Sequence, residues 1–394
     1  MRNLSLYIHI PFCQRKCLYC DFLSAPATES EKKSYVNLLL REIKEQSIFY
    51  GDHRVVSIFL GGGTPSLLPG REIGCILGQV KDCFLLAEDA EITLECNPGT
   101  VTAQKLQNYI TYGINRLSIG LQSTDDEELA RIGRIHDYAA FLKTYGLARE
   151  AGFHNINIDL MAGLPGQSVA SYIKSLERVA ALGPEHISAY SLILEEGTEL
   201  YVNQSDYTFP DEEEDREMYR RTGSFLEEAG FHRYEISNYA RAGRECRHNK
   251  VYWQRGDYAG FGLGASSMVN NIRWKNPEGH KEYADCVGRM AGVAARAPSG
   301  RAFADILRGM GLAEVQELTL EEQMEEFMFL GLRLMEGVDE GEFTRQFGRR
   351  LEEVYERPVD KLVSAHLLER EKGRLKLTPK GIDVSNMVFV EFLF

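Results

Sequence analysis

Three cysteines stand close together near the start of the chain, in Cys13-Gln-Arg-Lys-Cys17-Leu-Tyr-Cys20. The C-x3-C-x2-C spacing puts them on one short loop, after the apolar, strand-like run Leu4 to Ile10. A loop this tight aims three thiolates at one point, and three thiolates suit soft metal centres, above all iron–sulfur clusters. No fourth ligand stands nearby, because Cys20 is followed by Asp21 and Phe22. A cubane held by three cysteines leaves one iron open to a non-protein ligand. Zinc is the competing reading, but structural zinc asks for four protein ligands, commonly as two close pairs. Cys75, Cys83, Cys96, Cys246 and Cys286 supply no second C-x2-C pair. Disulfides fit less well still, since three crowded cysteines cannot all pair with one another.

The elements that must carry this loop alternate. Strand patterns at Leu4–Ile10, Val55–Leu60, Glu91–Cys96, Arg116–Leu121, Asn155–Leu160 and His186–Leu194 are separated by helical patterns. The helices are expected at Glu29–Phe49, Arg71–Cys83, Thr102–Tyr112, Tyr138–Ala151 and Val169–Ala181. Steps of ~30 residues imply parallel strands with right-handed helical crossovers. Six such units curl into a partial (β/α)6 barrel; an open doubly wound sheet is the alternative. In both, function collects at the C-terminal ends of the strands. The cysteine loop lies at such an end, and so do Gly61-Gly62-Gly63-Thr64-Pro65, Glu95, Gln122 and Asp159.

Beyond Leu200 the pattern changes. The acidic run Asp211–Glu217 opens a helix that reaches Ala229, carboxylates being favourable at a helix start. Phe231–Tyr239 reads as a strand. Cys246-Arg-His248-Asn249-Lys-Val-Tyr252-Trp253 and the glycine-rich Gly260-Phe-Gly262-Leu-Gly264-Ala-Ser266 follow. Helices are expected at Glu321–Met335, Glu342–Phe347, Arg349–Tyr355 and Val359–His366, then a hairpin from Leu367. The resulting division is an α/β core at 1–200, a small α+β extension at 201–315 and a C-terminal winged-helix-like module at 316–394. The last carries 11 Lys/Arg against 17 Asp/Glu, which disfavours DNA and favours a packing or partner role.

The whole chain has 394 residues and a net charge of -13, so it lacks the basic face of a general nucleic-acid binder. No apolar run approaches the ~18–20 residues of a membrane span. Eight cysteines without a secretory signal fit a reducing compartment, the cytoplasm by default.

Taken singly, several of these features are ordinary. A triple glycine after a strand is commonly a tight turn, Arg134 alone a surface arginine, and His248 alone a structural histidine. Together and in this order, the cysteine loop, the glycine run and the strand-end residues resemble the radical S-adenosylmethionine (SAM) superfamily. More narrowly, the chain resembles the oxygen-independent coproporphyrinogen III oxidase-like family, over nearly its whole length. His248-Asn249-x-x-Tyr252-Trp253 points to the haem-chaperone branch.

The resemblance implies that Cys13, Cys17 and Cys20 hold a [4Fe–4S] cluster whose fourth iron takes the amino and carboxylate groups of SAM. It implies SAM or cluster contacts at Tyr7, Tyr19, Gly62, Gly63, Thr64, Glu95, Gln122, Arg134 and Asp159. Arg134 suits the methionyl carboxylate and Asp159 the hydroxyls. His248 becomes a candidate haem ligand, with Cys246 a weaker one as thiolate or attachment point. Haem and haem-accepting proteins, among them membrane-bound respiratory enzymes, are the implied partners, with room for a homodimer. Oxidative decarboxylation of coproporphyrinogen III is the alternative activity, and a radical SAM enzyme of another substrate is a third. Two departures count against the oxidase: its fourth cysteine is replaced by Phe22, and only six residues precede Tyr7, leaving no N-terminal arm. A third departure touches the whole family, whose Gly-Ala-His here reads Gly264-Ala265-Ser266.

Overall fold

The protein is described by a computed structural model covering residues 1–291 and 301–394. Residues 292–300 of the expected extension lie outside the described residues. The first strands and helices alternate as β1 (Arg2–Ile10), α1 (Glu29–Gln46), β2 (His53–Gly62), α2 (Gly70–Cys83), β3 (Leu86–Cys96), α3 (Ala103–Tyr112) and β4 (Arg116–Gln122). They continue as α4 (Asp126–Arg131), α5 (Tyr138–Ala151), β5 (Ile156–Ala162), α6 (Val169–Ala181) and β6 (His186–Ser191). Strands β1 to β6 are parallel and adjacent in chain order. This is the expected partial (β/α)6 barrel.

Alternation along each strand separates two environments. In β1, Leu4, Leu6, Ile8 and Ile10 are fully buried in the main apolar core, with Val36, Leu39 and Ile43 of α1. The intervening Ser5, Tyr7 and His9 belong to the other face. That face carries polar and aromatic side chains: Tyr7 lies level with Phe59, Phe59 with Thr93, and Thr93 with Arg116. One step on, Glu95 lies level with Ser118, Ser118 with Asn157 and Asn157 with His186. Parallel strands between two apolar layers are apolar on both faces; here the inner face is a polar lumen.

The extension continues this sheet at both edges. It contains α7 (Glu199–Val202), α8 (Glu212–Glu228), β7 (His232–Arg233), β8 (Asn238–Ala240), α9 (Arg247–Trp253), β9 (Tyr258–Phe261), β10 (Ser266–Val269) and β11 (Ile272–Lys275). Helices α10 (His280–Met290) and α11 (Arg301–Met310) and strand β12 (Ala313–Glu317) complete it. Among the described residues the sheet has 12 strands, ordered β12-β11-β10-β9-β1-β2-β3-β4-β5-β6-β8-β7. The single strand expected over Phe231–Tyr239 is instead a short antiparallel pair. The buried Glu235 carboxylate accepts from Ser237 N (3.0 Å) and Asn238 Nδ2 (2.5 Å), which turns the chain back there.

The C-terminal module comprises α12 (Leu320–Gly331), β13 (Val338–Asp339), α13 (Glu340–Phe347), α14 (Leu351–Ser364), β14 (Leu368–Glu371) and β15 (Arg374–Leu377). Its antiparallel sheet is ordered β13-β15-β14, a winged-helix arrangement. It has its own core, including Met328, Phe343, Leu375 and Phe392. Two helices were expected over 349–366. The element α14 is two helical pieces joined across a kink, with Tyr355 non-helical at the join and Pro358 inside; the proline lacks the N–H that would bond across the bend. Glu326 of α12 ties the module to the extension through Arg255 (3.0 Å) and Arg273 (2.8 Å). Among the described residues no helix is long and apolar enough to cross a membrane.

Candidate functional site

The strand ends converge as the sequence implied. A cavity of about 130 Å³ is lined by Cys13, Cys17, Cys20, Tyr19, Gly62, Gly63, Thr64, Glu95, Gln122, Arg134 and Asp159. The cysteine loop is pinned from several sides. Cys13 N donates to Ala25 O (3.1 Å) and Leu18 N to Ile132 O (3.1 Å), while Arg15 Nη2 donates to Gly133 O (2.7 Å). The exit of β2 runs against the exit of β1, with Gly63 N on Ile10 O (2.9 Å) and Thr64 N on Phe12 O (2.7 Å). A Cβ at Gly63 would meet Phe12 O at 2.7 Å, so only glycine permits this approach.

Thr64 Oγ1 reaches Cys13 Sγ (3.8 Å) and accepts from Asn97 Nδ2 (2.8 Å). Arg134 Nη1 reaches Cys17 Sγ (3.6 Å), and its Nη2 donates to Asn97 Oδ1 (2.9 Å) and Gly120 O (2.5 Å). Gln122 closes β4 with φ 76°, a left-handed backbone rare for a residue with a side chain. Asp159 accepts from Asn157 Nδ2 (2.7 Å) and Ser118 Oγ (3.3 Å). Burial, then Asp159, pushes the Glu95 carboxyl up to about 8, against the Gly62 amide that donates to it (3.1 Å). Glu95 therefore holds a proton at neutral pH. Burial raises Asp159 as well.

These residues fit a three-thiolate cluster with an anionic, amine-bearing ligand. All three cysteines are free and part-exposed. Among the described residues no three His, Cys, Asp or Glu side chains close on a single metal ion; a cubane does not ask for that, because each thiolate binds a different iron. Arg134 Nε is buried without a partner beside the cavity, a donor that a carboxylate would satisfy.

Tyr7 and His248 line a second, larger cavity of about 700 Å³. The two cavities share Phe22, Gly62 and Glu95. His248 is buried at the start of α9 and stacks on Phe59 (5.1 Å between ring centroids). Its Nδ1 is hydrogen-bonded to Ser57 Oγ (3.0 Å) and its Nε2 to Tyr252 Oη (2.9 Å). Ser57 Oγ in turn meets Ser5 Oγ (2.6 Å). Burial, with Arg116 adding to it, depresses His248 to about 3, so the imidazole is neutral, the form that ligates metals. Helix α9 is oriented by Glu91, which accepts from His248 N (3.1 Å) and Arg247 N (3.2 Å).

Two residues near His248 lie elsewhere. Trp253 faces the C-terminal module, with the Arg333 guanidinium 4.4 Å from its ring centroid. Cys246 is fully buried, its thiol directed to Glu91 Oε1 (3.5 Å) and pushed up to about 12 by burial. It lines neither the cysteine cavity nor the His248 cavity. Asn97, Ser57 and Phe59 were not singled out from the sequence. Asn97 carried a signal, the strand-ending Asn97-Pro98-Gly99; Ser57 and Phe59 carried only their inward register.

Residues 7–179 match the radical SAM superfamily and residues 318–384 the HemN C-terminal domain. The chain is 35% identical to the heme chaperone HemW of Bacillus subtilis, over 99% of both chains. It is 42% identical to HemW of Escherichia coli over 68% of this chain and 70% of that one. Mouse mitochondrial radical S-adenosyl methionine domain-containing protein 1 is 34% identical over 99% of this chain and 87% of its own. Among solved structures, E. coli coproporphyrinogen III oxidase (HemN), described as a radical SAM enzyme, superposes with a TM-score of 0.83 over 99% of this chain and 90% of that one, at 24% identity. The chain belongs to the radical SAM superfamily and, within its oxygen-independent coproporphyrinogen III oxidase-like family, to the group of the HemW proteins.

Proposed function

We propose that the protein is a cytoplasmic haem carrier that holds a [4Fe–4S] cluster and SAM beside its haem site and passes haem to acceptor proteins. The observation that carries this reading is the 700 Å³ cavity containing His248, which shares Phe22, Gly62 and Glu95 with the cysteine cavity. Cys13, Cys17 and Cys20 would hold the cluster. Arg134, Asp159, Glu95, Gln122 and Thr64 would surround SAM, with Gly62 and Gly63 letting backbone approach it and Tyr19 at its flank, while Tyr7 lines the neighbouring cavity. When bound, the cluster with SAM on its open iron supplies one-electron chemistry.

The chain's own residues prepare the haem ligand. Ser57 fixes the His248 ring through Nδ1, as an outer partner fixes a metal-binding imidazole. To ligate haem iron, Nε2 would have to give up its hydrogen bond with the Tyr252 hydroxyl (2.9 Å). The Tyr252 hydroxyl satisfies Nε2 in the absence of haem, so the hydrogen bond lost would offset part of the ligand bond gained and favour release. The HemW relatives bear the name heme chaperone, which supports the same reading.

The test is haemin titration of purified protein. A Soret shift that His248→Ala abolishes is expected, and no shift at micromolar haem sinks the proposal. The HemN-like fold keeps the oxidase as the second reading. It predicts carbon dioxide release from coproporphyrinogen III with SAM and a reductant under anaerobic conditions.

A further inference from the structure

The larger cavity has two unlike ends. Its inner wall is aromatic, with Tyr7, Phe59, Tyr252 and Tyr258 around buried His248. Tyr252 and Tyr258 meet edge to face at 4.7 Å. Its outer margin carries two ammonium groups, Lys16 and Lys275. Lys16 is exposed on the cysteine loop, between Cys13 and Cys17, and donates to the Phe22 carbonyl (2.9 Å). Lys275 ends β11 and pairs with Glu278.

This polarity fits a flat macrocycle with an apolar edge and two acid side chains. The apolar edge gains most against the aromatic wall, and the acids gain most where water and ammonium groups meet them. Two carboxylates share the margin. Glu278 is already neutralised by Lys275, and Asp21 is the remaining like charge.

We propose that Lys16 and Lys275 bind the two propionate carboxylates of haem and so fix which edge of the macrocycle enters the cavity. This rests on the haem-carrier reading and names the recognition elements of that same site. It also places one haem contact on the loop that bears the cluster cysteines, so loop order and haem affinity are linked. Glu278 competes with the propionate for Lys275.

The test compares haemin with its propionate dimethyl ester, by Soret titration at neutral pH. The proteins are the wild type, Lys16→Gln, Lys275→Gln, the double variant and Glu278→Gln. Each lysine substitution should weaken haemin about 3- to 10-fold, as for a charge-assisted bond at a partly exposed margin. The diester should bind the wild type as weakly as haemin binds the double variant, and the substitutions should leave its affinity unchanged. Glu278→Gln should tighten haemin and leave the diester unaffected. Equal wild-type affinity for haemin and diester, or wild-type haemin affinity in the double variant, would overturn the assignment while the carrier reading stands. Binding of neither ligand by the wild type would overturn both.

Discussion

Gly63→Ala probes the joint on which the cysteine loop depends. The added Cβ would stand 2.7 Å from Phe12 O, 2.9 Å from Ile10 O and 2.9 Å from Phe12 N. All three are backbone atoms, so no side chain can swing aside. Relief comes only by parting the β1 and β2 exits, which stretches Gly63 N to Ile10 O (2.9 Å) and Thr64 N to Phe12 O (2.7 Å). Overpacking costs about 1–3 kcal/mol, and each weakened backbone bond adds about 0.5–1.5 kcal/mol. The expected loss is about 2–6 kcal/mol in denaturant unfolding, together with a displaced Cys13. Anaerobic reconstitution with iron and sulfide counted should therefore give a poorly loaded protein. Gly78→Ala is the control: it lies in α2, where a Cβ meets nothing within 4 Å, and should raise stability by about 0.4–1 kcal/mol. Wild-type stability and iron content in Gly63→Ala would refute the reasoning.

Other consequences concern the second cavity and the buried charges. Ser57→Ala frees the His248 ring at Nδ1 (3.0 Å) and should lower haem affinity about 10- to 100-fold without abolishing it; an unchanged Soret titration would remove Ser57 from the site. Tyr252→Phe removes the hydroxyl on Nε2 (2.9 Å) and should tighten haem about 2- to 10-fold, so weaker binding would contradict the exchange at Nε2. Glu42, fully buried under donors from Gly262, Asn276, Tyr283 and Gln46, is pushed up to about 7 by burial. Its proton is retained on folding, so its contribution is full below about pH 4.5 and is lost as pH rises through about 7. A decline of about 3 kcal/mol between these limits should be absent in Glu42→Gln, as read by denaturant unfolding across the range.

The barrel was legible because the six strands end in turns and their crossovers follow the helical period. The cysteine cavity was legible because its residues sit at consecutive strand ends, which a parallel fold must gather. What sequence could not give was the lumen. Ser57, Phe59, Glu91 and Arg116 read as ordinary strand residues, and only the register places them around α9. The direction of Cys246 was hidden for the same reason: two residues from His248 along the chain, it turns into the lumen onto Glu91 and lines neither cavity. The Phe231–Tyr239 strand failed because Glu235, polar and buried, turns the backbone from within. Tyr7 lies beside the second cavity rather than the first, a distinction of side-chain direction that no motif carries.

The most direct measurement of the central claim is a haem titration of anaerobically reconstituted protein and its His248→Ala variant, followed by mixing with an apo-acceptor. The account predicts a saturable Soret shift in the wild type, its loss in His248→Ala, and movement of the haem spectrum to the acceptor. A Soret titration identical in the two proteins would contradict it.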